Sequence, residues 1–395
     1  MRGLPGLTLE PDAEKFRADV RAFLADTLDD PRSGGARDFT DLTGWNETFE
    51  RDLVRAAGAA GFLGVSLPVE LGGGGKPPSW QAALSYEAAY HDAPLIDTAA
   101  VLVAPTVATF GTREQRDTVV RAACAGTVNA CIAYTEAGAG SDLSNVATTA
   151  TAVEGGGFVL DGEKVFVTGA HKADWCCTIA RTDPSSRGKR GLSMFLLDMA
   201  TPGITVERHA TANRWTLSTV RFDGARVGDD AVLGEVGDGW RQLSGALLAE
   251  RSGVAWLGWA TRTLEALLDH CTPTDNRVTR DALADLVTQW FAAVGHVERV
   301  IALQDAGRAP FAEGAMSKVC VTELLQRISR IGAATLGPDA LTAPGWFGGT
   351  LAEWFAYEVV ERLHPALSVG ANEIQRTTIA DVGLGLPPEP RAAGG

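Results

Sequence analysis

A chain of 395 residues, 45% hydrophobic and 21% charged, can bury a real core in two or three domains or one large composite fold. Its formal net charge of -14 excludes the concentrated basic surface that nucleic-acid phosphates require and disfavours contact with anionic membranes. Any anionic ligand should therefore meet a local basic exception; the basic cluster from Arg181 to Arg190, broken by Asp183, Pro184 and Gly188, reads as a solvated hairpin loop.

Six cysteines lack framework spacing, and the adjacent Cys176 and Cys177 suit neither an ordinary disulfide nor a zinc pair. They read as reduced core residues of a cytosolic protein. No basic start with an apolar signal core is present, and no run approaches ~18 apolar residues, so the expected compartment is the cytoplasm.

In chain order, residues 1–127 read as a helical domain. Pro11 opens a segment in which Phe16, Val20, Phe23 and Leu24 recur at helical spacing, and Trp45 to about Ala60 forms a second helix ending in the Gly61 turn. Leu67 to Gly75 must be a loop, after which Trp80 to Tyr90 and Ala99 to Thr109 resume helical texture. Residues 128–236 read as a β domain, a small barrel or sandwich. There Gly157 to Thr168 holds two apolar runs joined by Asp161-Gly162, a hairpin signal, and Trp175 to Arg181, Gly191 to Leu197 and Thr219 to Phe222 continue the strands. Residues 237–395 read as an antiparallel helical bundle built on one long helix from Trp240 to His270, then Asp281 to Asp305, Met316 to Leu336 and Leu351 to Leu363. The fold class is α+β.

Three stretches carry chemistry. In Tyr134-Thr135-Glu136-Ala137-Gly138-Ala139-Gly140-Ser141-Asp142, small residues let backbone amides approach a ligand, and Thr135 and Ser141 add hydroxyls. This suits a pyrophosphate or a flavin edge. In Gly162 to Asp174, Phe166 and Thr168 share one strand face and could cover and hydrogen-bond an isoalloxazine ring. The third stretch is Gly370-Ala371-Asn372-Glu373-Ile374-Gln375-Arg376. Taken singly, the three also fit a glycine-rich turn, a core strand and a polar helix start.

Together and in this order they resemble the acyl-CoA dehydrogenase family over nearly the whole chain. Leu67 to Gly74 is similar to its Pro-Glu-x-x-Gly-Gly loop, and Thr135 to Asp142 to its T-E-x-G-A-G-S-D signature. Gly162 to Ala170 is similar to its G-x-K-x-W-I-T-N-A segment, with Phe166 for tryptophan and Gly169 for asparagine, and Gly370 to Arg376 resembles the tail of its E-G-T-S-E-I-Q-R motif. The resemblance implies FAD held between the β domain and the bundle. Tyr134, Thr135 and Ser141 would line flavin and pyrophosphate, and Phe166 and Thr168 would lie against the isoalloxazine. Glu373 and Gln375 would lie near a neighbouring subunit's dinucleotide, in a homodimer or homotetramer.

The implied chemistry is α,β-dehydrogenation of an acyl thioester, carried by CoA or by an acyl- or aminoacyl-carrier protein. A carboxylate in a dry pocket must take the α-proton while hydride leaves Cβ. The family's usual base opens E-G-T-S-E-I-Q-R, but here that position is Val369. Members of the isovaleryl-CoA, long-chain and prolyl-carrier-protein types place a glutamate before an arginine on the bundle's first helix. Glu250-Arg251 matches that pattern, so the resemblance makes Glu250 the base and Arg251 a substrate-binding residue; the plain alternative is an exposed Glu–Arg pair. Leu248, standing where many members have a pantetheine-contacting Asp, shifts the expectation modestly toward a carrier protein. The elements that hold a neighbour's FAD are not recognisable in Arg277 to Arg280 and Leu336 to Asp339.

His171 reads as a loop histidine, and no cluster has metal-ligand spacing, so no metal is expected. The electrons would pass to an acceptor protein or to oxygen. Two other readings stand beside this one: a different flavin reaction on the same fold, such as an oxidase or monooxygenase, and a catalytically silent subunit that binds a partner.

Overall fold

In this computed structural model the described residues are 4–28, 47–95, 99–213, 216–250, 252–271, 276–342 and 350–387; the side chains of 246–250 and 341–342 lie outside the description. The helices of seven or more residues are α1 (Pro11–Leu28), α2 (Glu47–Ala59), α3 (Pro78–Tyr90), α4 (Ala104–Phe110), α5 (Gly239–Glu250), α6 (Val254–Cys271), α7 (Arg277–Asp305), α8 (Phe311–Leu336), α9 (Leu351–Glu361) and α10 (Asn372–Thr378). The strands are β1 (Ala130–Ala133), β2 (Thr149–Ala152), β3 (Phe158–Thr168), β4 (Trp175–Arg181), β5 (Leu192–Asp198), β6 (Ile204–Ala210), β7 (Thr216–Val227) and β8 (Val232–Leu233). The chain divides into two compact units, one of Lys15–Leu84 with Ala93–Ala249 and one of Met1–Glu14, Ser85–Asp92 and Glu250–Gly395.

The first unit is organised by a mixed eight-stranded sheet in the order β6-β7-β3-β2-β4-β5-β8, with β1 added parallel to β4. Alternation sends neighbouring side chains to opposite faces. Cys176 therefore joins Cys131, Phe158, Leu160, Phe195 and Phe222 on one side, while Cys177 joins Ile179, Met194, Val107, Val119 and Val120 on the other. Each fully buried side chain of this size stabilises by roughly 1.5–3 kcal/mol. All six cysteines are free thiols.

Asp161-Gly162 does not turn a hairpin, as the Asp-Gly signal predicts. β3 runs straight through it, pairing with β2 on one side and β7 on the other, and the register slips between Leu160 and Gly162. Gly162 absorbs that bulge at φ 148°, and a Cβ there would lie 2.5 Å from Thr148 Oγ1. The dipeptide codes a kink because β7 pairs with β3 on both sides of it, while β2 pairs only as far as Asp161.

The second unit is helical. Asn276 caps α7 by accepting from the amides of Val278 (3.0 Å) and Thr279 (3.3 Å), and Leu283, Leu286, Trp290, Val294, Val297 and Ile301 form its buried stripe. Thr350 and Glu353 make a reciprocal capping box that starts α9. α9 comes close enough to α8 that a Cβ on Gly332 would strike the Phe355 ring at 2.0 Å.

The long helix expected from Trp240 to His270 is in fact two. α5 stops at Glu250 and α6 starts at Val254. Gly253 takes φ 80°, and Ser317 Oγ on α8 donates to the Ser252 carbonyl at 2.9 Å, so the interruption is held from outside. Replacing Gly253 with alanine puts a Cβ 2.7 Å from Ser317 Oγ in a disfavoured backbone region. We expect that variant to lose about 1–3 kcal/mol of unfolding free energy in denaturant titrations.

Candidate functional site

The glycine-rich segment leaves β1 at Ala133 and is joined to β3 by a short set of buried contacts. Val165 N donates to Thr135 O at 2.9 Å, and Lys164 Nζ reaches Tyr134 O at 3.3 Å and Glu136 Oε1 at 2.8 Å. Glu136 also accepts from the amides of Ala147 (2.7 Å) and Thr148 (2.9 Å). Lys164 is fully buried and Glu136 nearly so. Burial raises the Glu136 carboxyl, but the Lys164 charge with the hydrogen bonds from Lys164, Thr148 and Ala147 holds it below the ordinary 4.5. Burial pulls the Lys164 ammonium down, and the Glu136 charge and hydrogen bond oppose that pull.

Strict alternation would place Lys164 on the same face as Phe166 and Thr168. The ladder instead shows Lys164 opposite Val220 and Val167 opposite Ser218, so two β3 residues span one on β7. This bulge turns Lys164 inward and Phe166 outward. Phe166 sits at φ 58°, uncommon for a bulky residue, and its ring is 70% exposed. Thr168 is half-buried beyond the buried Val167. Tyr134 is buried, with its hydroxyl 3.4 Å from Cys177 Sγ, a thiol that burial pushes up to about 12.

Among the described residues, the amides of Gly138, Gly140 and Ser141 and the hydroxyls of Thr135 and Ser141 make no hydrogen bond within the protein. A Cβ on Gly138 would meet nothing within 4 Å, and one on Gly140 only Thr135 Cγ2 at 3.9 Å. A row of uncommitted donors stands over open space, one strand away from an exposed aromatic ring. That donor set fits a phosphate or a flat heteroaromatic edge. The structure thus brings Tyr134, Thr135, Ser141, Phe166 and Thr168 into one region of the first unit. Lys164 and Glu136, which fasten it, had no role in the sequence reading; a charged pair inside two glycine-flanked motifs was the available signal.

The basic cluster is the β4–β5 hairpin loop with Arg187, Lys189 and Arg190 exposed, and only Arg181 departs from the solvated reading. Arg181 is half-buried and donates to the carbonyls of Ser144 (2.9 Å), Arg190 (3.0 Å), Val146, Gly188 (both 3.3 Å) and Ser186 (3.4 Å). One guanidinium therefore binds the loop after the glycine-rich turn to the β4–β5 loop. His171 lies in a short turn after β3, 3.8 Å from Glu47 on α2.

In the second unit, Glu250 is the last residue of α5, with its side chain outside the description, and Arg251 lies outside the described residues. Val369 has φ 56°, and Gln375, fully buried on α10, donates to the carbonyls of Gly370 (3.1 Å) and Val369 (3.4 Å). Glu373 is exposed on the same helix. A β-branched residue at that φ is strained. Val369→Asn, which tolerates the left-handed region, is expected to raise unfolding free energy by about 1 kcal/mol, measured by thermal melts.

No group of three or more His, Cys, Asp or Glu among the described residues is arranged to hold a metal, and none of their helices is long and apolar enough to cross a membrane.

The acyl-CoA dehydrogenase N-terminal domain family matches residues 10–127, the middle domain 131–225 and the C-terminal domain 237–384. The chain is 32% identical to the acyl-CoA dehydrogenase IpdE1 of Mycobacterium tuberculosis, over 96% of this chain and 99% of that one. A solved structure described as the Tcur3481-Tcur3483 steroid ACAD superimposes with a TM-score of 0.88 at 26% identity, covering 98% of this chain and 100% of that one. The ChsE4-ChsE5 complex from Mycobacterium tuberculosis gives 0.84 at 25% identity, covering 96% and 99%.

Proposed function

This chain belongs to the acyl-CoA dehydrogenase family, and from that premise we propose that it removes the α-proton of an acyl-CoA through Glu250 while the β-hydrogen leaves as hydride. The chain is a flavoprotein oxidoreductase that uses FAD. Bound FAD supplies the hydride acceptor. What carries the reading is the row of uncommitted donors at Gly138, Gly140, Ser141 and Thr135 beside the outward Phe166 ring. Thr135 and Ser141 bind phosphate and ring edge, Phe166 and Thr168 lie against the flat ring, and Tyr134 closes the apolar side. Glu373 and Gln375 belong to the dinucleotide-facing end of α10. Arg251 supports the substrate next to the base.

Glu250 is the base by position because Val369 has no carboxylate to offer. Glu250 ends α5, and two residues on, the Ser252 carbonyl is tied to Ser317 Oγ on α8. The carrier is CoA or a carrier-protein phosphopantetheine, the acceptor is a protein or oxygen, and the assembly is a homodimer or homotetramer in the cytoplasm.

The test is anaerobic flavin bleaching against acyl-CoA and acyl-carrier-protein thioesters. A polycyclic acyl-CoA belongs in the panel, since a neighbour in structure is described as a steroid ACAD. Bleaching by an acyl-CoA, with the enoyl product recovered, is the expected result. No bleaching by any thioester, in yellow protein with one FAD per chain, sinks the reading. A protein that stays colourless after FAD is added would instead favour a silent subunit awaiting a partner, as the described ChsE4-ChsE5 complex makes concrete.

A further inference from the structure

Apolar spacing continues from Trp240 to His270, and a single glycine inside a helix costs only about 1 kcal/mol. Local sequence therefore does not force α5 to stop at Glu250. What accompanies the stop is a contact from another helix. Ser317, in the second turn of α8 and fully buried, donates its hydroxyl to the Ser252 carbonyl at 2.9 Å. In an unbroken helix that carbonyl would accept from the amide of Trp256. Gly253, at φ 80°, comes too near the same hydroxyl to carry a Cβ, and its own carbonyl accepts from Leu257 N at 3.0 Å, which starts α6. Lys318, the next residue of α8, is committed elsewhere, to Asn372 Oδ1 (2.8 Å) and the Ala366 carbonyl (3.2 Å) on either side of Val369.

The place of the break matters. Side chains on a helix lean toward its N-terminus, and residues four apart are neighbours on its surface. Had the helix continued, the β-branched Val254 would have stacked one turn beyond residue 250. Instead Val254 opens α6 and is buried there. A general base must come within hydrogen-bonding reach of the proton it takes, and a branched side chain stacked beside it narrows that approach. Breaking a helix also forfeits backbone hydrogen bonds, each worth about 0.5–1.5 kcal/mol net. A fold that gives these up directly after its candidate base, and then fastens the gap from a second helix, is using the gap.

We propose that Ser317 is a positioning residue for the base: by holding the Ser252 carbonyl it keeps the helix broken after Glu250 and keeps Val254 out of the turn beyond it. This rests on the reading of Glu250 as the base of a thioester dehydrogenation. Ser317 touches neither substrate nor flavin in this role. It acts on the chain that follows the base, so its effect belongs to the movement of the α-proton onto Glu250 and not to the grip on the thioester.

The test is the limiting rate of anaerobic flavin reduction in the FAD-loaded full chain, using the best acyl-CoA of the panel either protiated or deuterated at Cα. Ser317→Ala should lower that rate about tenfold and leave the half-saturating thioester concentration unchanged. It should also enlarge the α-deuterium isotope effect, because a misplaced base slows proton transfer in particular. An unchanged rate and isotope effect in a folded, fully flavinated Ser317→Ala protein overturns the proposal. So does a rate loss that comes with weaker thioester binding and an unaltered isotope effect, the result a packing defect gives. Should Ser317→Ala not fold, Ser317→Cys keeps the side chain's shape with a much weaker donor and carries the same expectation and the same refutation. Glu250→Gln, measured alongside, separates the two readings. If it reduces flavin at the unaltered rate, the base assignment falls and the proposal with it. A rate lost in Glu250→Gln but kept in Ser317→Ala sinks the proposal alone.

Discussion

Glu250→Gln should lower kcat by roughly 10²–10⁴-fold, the share general-base catalysis ordinarily supplies, with flavin content unchanged. Glutamine keeps the size and hydrogen bonding of the side chain and removes its ability to accept a proton. Val369 cannot substitute, since valine offers no basic group where many family members place one. The comparison must be made on bleaching by the best thioester of the panel, so that slow product release does not mask the chemical step. KM should move little, because the interaction lost belongs to proton transfer and not to ground-state binding. Bleaching at the unaltered rate would remove Glu250 from the mechanism and favour a different flavin reaction on this fold.

The second large effect is on stability. Lys164→Met leaves Glu136 buried with its charge uncompensated, and we expect a loss of about 3–5 kcal/mol in unfolding free energy. FAD affinity should fall too, since Lys164 ties the Tyr134 carbonyl and Glu136 to the strand that carries Phe166. The pair also sets an acid limit. Glu136 is held below its ordinary 4.5 in the folded chain, so its contribution is complete above that value and is lost as pH falls through the lower, folded one. Melting temperatures of Glu136→Gln should therefore decline less steeply than those of the unaltered protein over that acid range. A Lys164→Met variant of unaltered stability, or identical acid slopes for the two proteins, would show that the pair is energetically neutral.

Much of the chemistry was legible because motifs with local causes survive any tertiary arrangement. Gly138 to Ser141 must be an open turn, and the helical stripes of α1, α7 and α8 follow from their spacing. Family membership, FAD and the α+β architecture were all readable at that level.

Other features were hidden because they depend on what lies across from a residue. Asp161-Gly162 has the residues of a hairpin turn, yet β7 pairs with β3 on both sides of it and draws it into a bulged strand. Apolar spacing runs on from Trp240 to His270, yet Ser317 on α8 captures the Ser252 carbonyl and the helix breaks. Arg181 belongs to a run that reads as solvated, until the carbonyls of two loops converge on its guanidinium.

The division follows from range. Sequence by itself determined the motifs that mark the family, because side-chain chemistry and turn preference act within a few residues. Only the tertiary structure decided how those residues are held: Lys164 against Glu136, Ser317 at the helix break, and Lys318 and Gln375 around Val369. Each of those is a polar group driven from water, and it finds its partner wherever the fold has placed one.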